Sequence, residues 1–157
     1  LVDTLTPEVH PDENIFRLLL ESLLTLESIE SLSNLSQFFE MRLMCLAGYS
    51  PQLSHCSICR KTTAKTKRIG FSFEHKGVVC EPCSFKAQPE IRFHAGTLSY
   101  LKKMKTMAVK HVNRLKVPKD VEIEIEQLTH KLILSHIGRE LKSYSFIKKM
   151  GKVNLDT

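Results

Sequence analysis

Two cysteine pairs constrain this chain more than any other feature in it. They are Cys56-Ser57-Ile58-Cys59 and Cys80-Glu81-Pro82-Cys83, in the pattern C-x2-C-x20-C-x2-C. The spacing falls within the range of zinc sites. Such a site needs four thiolates arranged tetrahedrally about 2.3 Å from one ion. A C-x-x-C turn presents two sulfurs to the same side, and a hairpin between the pairs brings the two turns together. The segment 56–83 holds few bulky apolar groups: Ile58, Ile69, Phe71, Phe73, Val78 and Val79. It cannot form its own core, because units below about 40 residues usually need a staple. The reading is therefore one structural Zn2+ on Cys56, Cys59, Cys80 and Cys83. The alternatives fit less well. A redox C-x-x-C would come as one pair beside a βαβ pattern. An iron–sulfur cluster also accepts four cysteines, but the ribbon-like spacing favours zinc. Catalytic zinc keeps an open position, which four cysteines close. His55 and His75 flank the pairs as substitute ligands, and read more simply as surface residues.

The remaining cysteine, Cys45, lies alone in an apolar stretch and reads as a small buried hydrophobe. Five cysteines behind an N-terminus without a signal-peptide pattern point to a reducing compartment. No run of eighteen apolar residues occurs, so no transmembrane helix is expected. The chain opens on Leu1 and not on Met, so a further domain is expected in front of it.

Charge is strongly segregated. Residues 1–50 hold two basic and eight acidic side chains, whereas residues 51–119 hold fifteen basic and three acidic. The net charge of +6 thus conceals a positive centre beside an acidic flank. Polyanions are drawn to such a centre, nucleic acid first, because neutralised phosphates release their counterions. A lysine-rich solvated surface is the bland counterpart.

Apolar periodicity gives helices on both sides of the cysteine segment. Ile15, Leu19, Leu23 and Leu26 share one face of a helix over 13–29, and Phe16, Leu18, Leu20 and Leu24 widen the stripe, which predicts burial on more than one side. Leu35–Ala47 reads as a second helix, capped by Ser33 or Asn34 and closed by Gly48 in a left-handed conformation. Short β-type runs occur at Ile69–Phe73 and Gly77–Val79, joined by Glu74-His75-Lys76-Gly77 as a hairpin loop. From Thr97 to a stop at Pro118 a helix would place Leu98, Leu101, Met104, Ala108 and Val112 inward, with Lys103, Lys110 and Arg114 together on the opposite face. Asp120 would cap a helix reaching Ile137, and a last short helix would run from Glu140 to about Met150.

Several short strings carry a resemblance. Phe39-Glu40-Met41-Arg42-Leu43-Met44, Gly48-Tyr49-Ser50-Pro51-Gln52-Leu53, Phe71-Ser72, Gly77-Val78-Val79 with the cysteine pairs, and His136-Ile137-Gly138-Arg139-Glu140-Leu141-Lys142-Ser143 occur in that order. Together they resemble the C-terminal portion of the bacterial recombination mediator family RecO, over about residues 13–147. The resemblance implies a mainly α fold: a helical domain in two parts, 1–55 and 87–157, with a zinc-ribbon-like β-hairpin module inserted at 56–86. It also implies a non-enzymatic DNA repair protein of the bacterial cytoplasm and nucleoid. Such a protein binds single- and double-stranded DNA, anneals strands, and works with RecR to load RecA onto DNA coated by single-strand-binding protein. Neither a membrane nor a small-molecule substrate is implied. Two departures stand out. Family members carry an N-terminal OB-fold, and nothing in this chain reads as five short strands. Arg60 also occupies a knuckle position where glycine is common; if φ is positive there, the side chain costs about 1–2 kcal/mol.

The residues expected to contact DNA are Arg60, Lys61, Lys65, Lys67 and Arg68 around the metal module, with Lys103, Lys110 and Arg114 on the later helix. With aromatic residues at 7% and no Trp, base stacking has little support, so binding should be sequence-independent and salt-dependent. The second class of function is a zinc-stabilised scaffold that docks RecR or single-strand-binding protein and binds little DNA itself. Gly138 to Ser143 fits a contact loop or a helix–helix corner. An enzyme is not expected: the chain has no Gly-rich phosphate loop, no G-x-S-x-G and no H-E-x-x-H.

Overall fold

A computed structural model of the chain describes residues 1–5, 12–63, 68–139 and 141–144. A single turn, α1 (Val2–Leu5), precedes helix α2 (Glu13–Thr25), which Asp12 caps by accepting from the N–H groups of Asn14 at 2.8 Å and Ile15 at 3.2 Å. Helix α3 (Leu32–Leu46) begins at Ser31, two to three residues before the expected cap, and Ser31 Oγ accepts from Asn34 N. Gly48 ends α3 at φ 89, with Tyr49 N bonded to Met44 O and Gly48 N to Cys45 O in a Schellman arrangement.

The expectation for α2 needs correcting. Its buried positions are Ile15, Leu18 and Ser22, while Phe16, Leu20, Leu23 and Leu24 are 45–67% exposed. Among the described residues only one side of the helix meets neighbours, α3 and the helix at 109–114, so no second layer of described residues lies against the wider apolar stripe. Thr25 is its last helical residue, short of the expected 29.

Helix α3 is the hub. It packs against α2, helix α5 (Ala95–Thr106), the 3-10 helix at Val109–Arg114 and helix α6 (Lys119–Ile137), and it buries Leu35, Phe38, Met41, Leu43 and Met44. The expected continuous helix from Thr97 to Pro118 is broken. Met107 and Ala108 are extended, and the chain resumes as the 3-10 turn. The Arg42 guanidinium takes the Lys105 carbonyl, and β-branched Val109 and Val112 favour helix weakly. Lys103 is therefore separated from Lys110 and Arg114, and Ala108 is exposed, not inward. Pro118, not Asp120, occupies the cap position of α6, and Gly138 at φ 71 closes it. The expected helix 140–150 lies largely outside the described residues.

Between the helical halves sits a three-stranded antiparallel sheet in the order β2-β1-β3: β1 (Arg68–Ser72), β2 (Gly77–Val79) and β3 (Ile91–His94). Phe71 pairs with Val78 on one side and Ile91 on the other. The hairpin was expected; β3 and the short helix α4 (Glu81–Ala87) were not. Ile69, Phe71, Val78, Ile91 and Phe93 belong to the same core as the helices. On the other side Val79 packs with Cys56, Cys80 and Ala87 in a separate small cluster. Adjacent residues of β2 thus point into two different interiors, as strand pleating requires. Glu124 of α6 secures the start of α5 by accepting from His94 N at 3.1 Å and from Thr97 Oγ1, and it lies 2.7 Å from His94 Nδ1.

Candidate metal centre and basic surface

Two close backbone approaches bring the cysteine pairs together. Residues 52–57 lie along β2, with Gln52 N bonded to Lys76 O, Val78 N to Gln52 O and Ser57 N to Val78 O. Gly77 makes this possible, since a Cβ there would stand 2.5 Å from Gln52 O. The first knuckle folds tightly, with Cys56 N bonded to Lys61 O and Arg60 N to Cys56 O. Arg60 has φ 62, so the left-handed position at this knuckle is occupied by a non-glycine residue. The second pair opens α4: Cys80 is its cap residue, Pro82 sits in the first turn, and Cys83 follows with its N–H on Cys80 O.

The four sulfurs lie within 4.8 Å of one another, and Cys59 Sγ is 3.6 Å from Cys80 Sγ. A tetrahedral zinc with 2.3 Å bonds would set neighbouring sulfurs about 3.8 Å apart. The donor set therefore fits one such ion. All four are free thiols, with Cys56 and Cys80 buried and Cys59 and Cys83 partly exposed. Electrostatics separates them. Burial pushes the Cys56 thiol up, but the backbone N–H groups of Cys59, Cys80 and Ile58 outweigh it and bring it down to about 6. Cys80 is raised by burial. Cys83 is pushed up to about 12, first by its contact with Cys80 and then by burial. Cys56 is thus drawn toward the thiolate, while Cys80 and Cys83 are held toward the thiol and would be favoured as thiolates by a cation between them. A bound zinc would tie 52–61 to the hairpin and α4, and four sulfurs would leave it no open position.

His55 and His75 do not join the sulfurs. His75 Nδ1 is 3.2 Å from Ser72 Oγ, and His55 Nε2 is 2.8 Å from Arg60 Nη1. Cys45 is half-buried against the main core.

The expected DNA-contacting residues are scattered. Arg60 and Lys61 are exposed on the first knuckle, and Arg68 is exposed at the start of β1. Lys65 and Lys67 lie outside the described residues. Lys103 is exposed on α5 with its ammonium 5.7 Å from the Tyr100 ring centroid. Lys110 and Arg114 are exposed on the 3-10 helix. Among the described residues, none of these cations forms an ion pair with a carboxylate; the ion pairs there use Arg17, His94, Lys116 and Lys119. Sequence reasoning missed Lys76 and Lys105, which line one groove with Arg60. A lysine directly before the hairpin glycine, and another two residues after Lys103, were the available signals.

The family described as recombination protein O C-terminal matches residues 1–145. The chain is 33% identical over 153 residues to the DNA repair protein RecO of Pelotomaculum thermopropionicum, covering 97% of this chain and 58% of that protein. It is 28% identical over 155 residues to the DNA repair protein RecO of Desulforamulus reducens, covering 99% and 60%. With the DNA repair protein RecO of Myxococcus xanthus it shares 29% identity over 147 residues, 94% and 57% of the two chains. It spans less than two thirds of the length of each of these relatives.

Proposed function

Since this chain belongs to the recombination protein O C-terminal family, we propose that it serves a non-enzymatic mediator of DNA repair and recombination, binding nucleic acid through its basic middle third. The reading is supported above all by Arg60, Lys61, Arg68, Lys110 and Arg114, which are exposed and without carboxylate partners among the described residues. Contacts of this kind go to phosphates and carry little sequence information. The protein then acts by holding strands, single or double, and by supporting annealing and RecA loading together with RecR in the bacterial cytoplasm and nucleoid. One Zn2+ on Cys56, Cys59, Cys80 and Cys83 has a structural role, holding the segment 56–86 as an insertion between the helical parts 1–55 and 87–157. Lys65 and Lys67 are assigned to the same phosphate-contacting group.

Anisotropy of labelled single-stranded DNA against the zinc-loaded chain, followed from 50 to 200 mM salt, tests this. The expected result is binding with a log–log slope of several units, at about 0.7 per phosphate contacted. No binding at the lowest salt would sink it.

A second reading has its own support. The outward row of Phe16, Leu20, Leu23 and Leu24 on α2 is a continuous exposed apolar surface of the kind that meets proteins. On this reading the chain is a zinc-stabilised scaffold for RecR or single-strand-binding protein, and its own DNA affinity is weak.

A further inference from the structure

Beside the first knuckle a groove of about 370 Å³ opens between the hairpin turn and the last turn of α5. Arg60, Lys76 and Lys105 converge on it from three separate parts of the chain, with His75 at the wall, and no acidic side chain among the described residues lines it. Two of the cations are anchored through their side chains and the third residue through its backbone. Arg60 Nη1 donates to His55 Nε2 at 2.8 Å, Lys105 Nζ donates to Pro51 O at 2.8 Å, and the Lys76 carbonyl accepts from Gln52 N at 2.9 Å. Arginine has five N–H donors and lysine three, so both anchored side chains keep donors for a ligand. Like charges gathered in one recess repel one another unless an anion enters.

Two of the three positions also carry a conformational cost. Arg60 has φ 62 and Lys76 φ 50, in the left-handed region where glycine is unstrained and other residues lose about 1–2 kcal/mol. A cation stands at both positions despite that cost, and strain of this kind gathers at functional sites.

We propose that this groove is a phosphodiester-binding site, in which Arg60, Lys76 and Lys105 contact the backbone phosphates of one nucleic-acid strand. The proposal rests on the DNA-binding reading above and locates it. The groove is recessed, so a flexible single strand can enter it. A duplex, stiff over about 150 base pairs, meets only its rim. The sugar–phosphate backbone is the shared feature of DNA and RNA, and the groove as described offers nothing aimed at a base.

The test uses the zinc-loaded chain and a labelled thymidine oligonucleotide across 50 to 200 mM salt. The triple variant Arg60→Gly, Lys76→Gly, Lys105→Gln removes all three charges while relieving both left-handed positions. Its slope should fall by about 2 units, three contacts at 0.7 each, and its affinity at the lowest salt by on the order of 10²-fold. Its melting temperature should hold or rise. A control of equal charge change at exposed cations outside the proposed contacts, Arg92→Gln, Lys102→Gln, Lys131→Gln, should lose distinctly less. If the wild type binds and the groove variant keeps its slope, this site is wrong while the DNA-binding reading stands. Equal losses in the two triples would also overturn it, in favour of a diffuse basic surface. No binding by the wild type would overturn site and reading together. Should the triple variant fail to fold, Lys105→Gln alone, remote from the cysteines in sequence, should lower the slope by about 0.7, and an unchanged slope would decide against the groove. A duplex of the same length competing as well as the single strand would contradict the single-strand preference.

Discussion

Arg60 donates from Nη1 to His55 Nε2 across the first knuckle, at 2.8 Å. Arginine only donates, so Nε2 is the acceptor and the ring proton lies on Nδ1, 3.0 Å from Ser54 Oγ. Ser54 Oγ in turn donates to Gln52 Oε1 at 2.6 Å, and the backbone of Gln52 is paired with β2. A directed chain of hydrogen bonds thus ties an exposed cation to the sheet.

Within the sulfur cluster backbone N–H groups bring the Cys56 thiol down to about 6, whereas Cys83 is pushed up to about 12 by its contact with Cys80 and by burial. Zinc binding near pH 7.4 should therefore release fewer protons per ion than the nearly four that four ordinary thiols would give up. Calorimetry in buffers of different ionisation enthalpy reads this number directly. Zinc affinity should fall steeply on acidification, since protons compete for every sulfur.

Ile69, Phe71 and Val78 lie in the helical core, so the hairpin beside the cysteines is not an independent appendage. Chelation of zinc, or Cys80→Ser, should lower the unfolding midpoint of the whole domain. Far-ultraviolet circular dichroism and near-ultraviolet signals should shift together as one transition. Two separated transitions would show that the hairpin melts alone.

The glycines divide sharply. A Cβ at Gly77 would meet the Gln52 carbonyl at 2.5 Å, whereas one at Gly96 would meet nothing within 4 Å. Gly77→Ala should destabilise by about 1–3 kcal/mol and loosen metal binding. Gly96→Ala, in the first turn of α5, should stabilise by up to about 0.5–1 kcal/mol. Denaturant midpoints on the two variants check both signs.

Burial raises the Glu40 carboxyl above its ordinary value near 4.5, against the nearby hydroxyls of Tyr144, Thr129 and Ser36, which favour ionisation; Ser36 Oγ donates to Glu40 Oε1 at 3.3 Å. A carboxyl raised in the folded state binds more protons there than in the unfolded chain. Its contribution is thus fully present below pH 4.5 and is lost as pH rises through the folded value. Glu40→Gln should flatten this loss and raise the melting temperature at neutral pH. A pH series of thermal melts on both proteins measures it.

Phe38 and Phe16 offer the contrast between core and surface. Phe38 is fully buried on α3 and Phe16 is 66% exposed on α2. Phe38→Ala should cost about 3–5 kcal/mol. Phe16→Ala should stay within about 0.5 kcal/mol unless that row is covered by a partner. Urea titration of the chain distinguishes the two.

What could be read in advance followed from local rules. The two C-x-x-C turns and the hairpin between them depend on spacing alone, and the left-handed glycine after α3 depends on where a helix runs out. The sequence leaves the sign of φ at Arg60 open, showing only a side chain at a knuckle position where glycine is common; the structure has φ 62 there. Misreadings came where tertiary contacts decide. Nothing in the sequence of α2 says that only the Ile15 and Leu18 side meets a neighbour. The break at Met107 depends on Arg42 reaching the Lys105 carbonyl from another helix. Ile91–His94 alternates as a strand does, but four residues next to a strong helical pattern gave too little signal. The convergence of Arg60, Lys76 and Lys105 is a product of folding and left no periodicity to detect.

The division of β2, with Val78 in the helical core and Val79 against the cysteines, gives the fold a means of rejecting its own errors. A slip of one residue would turn Val79 toward the helices and Val78 toward the sulfurs, and would carry Cys80 away from Cys56. A chain in the wrong register would then fail in both interiors at once and could not complete a four-sulfur shell. A metal held by these four sulfurs would therefore act as a checkpoint on strand alignment, locking only correctly threaded molecules.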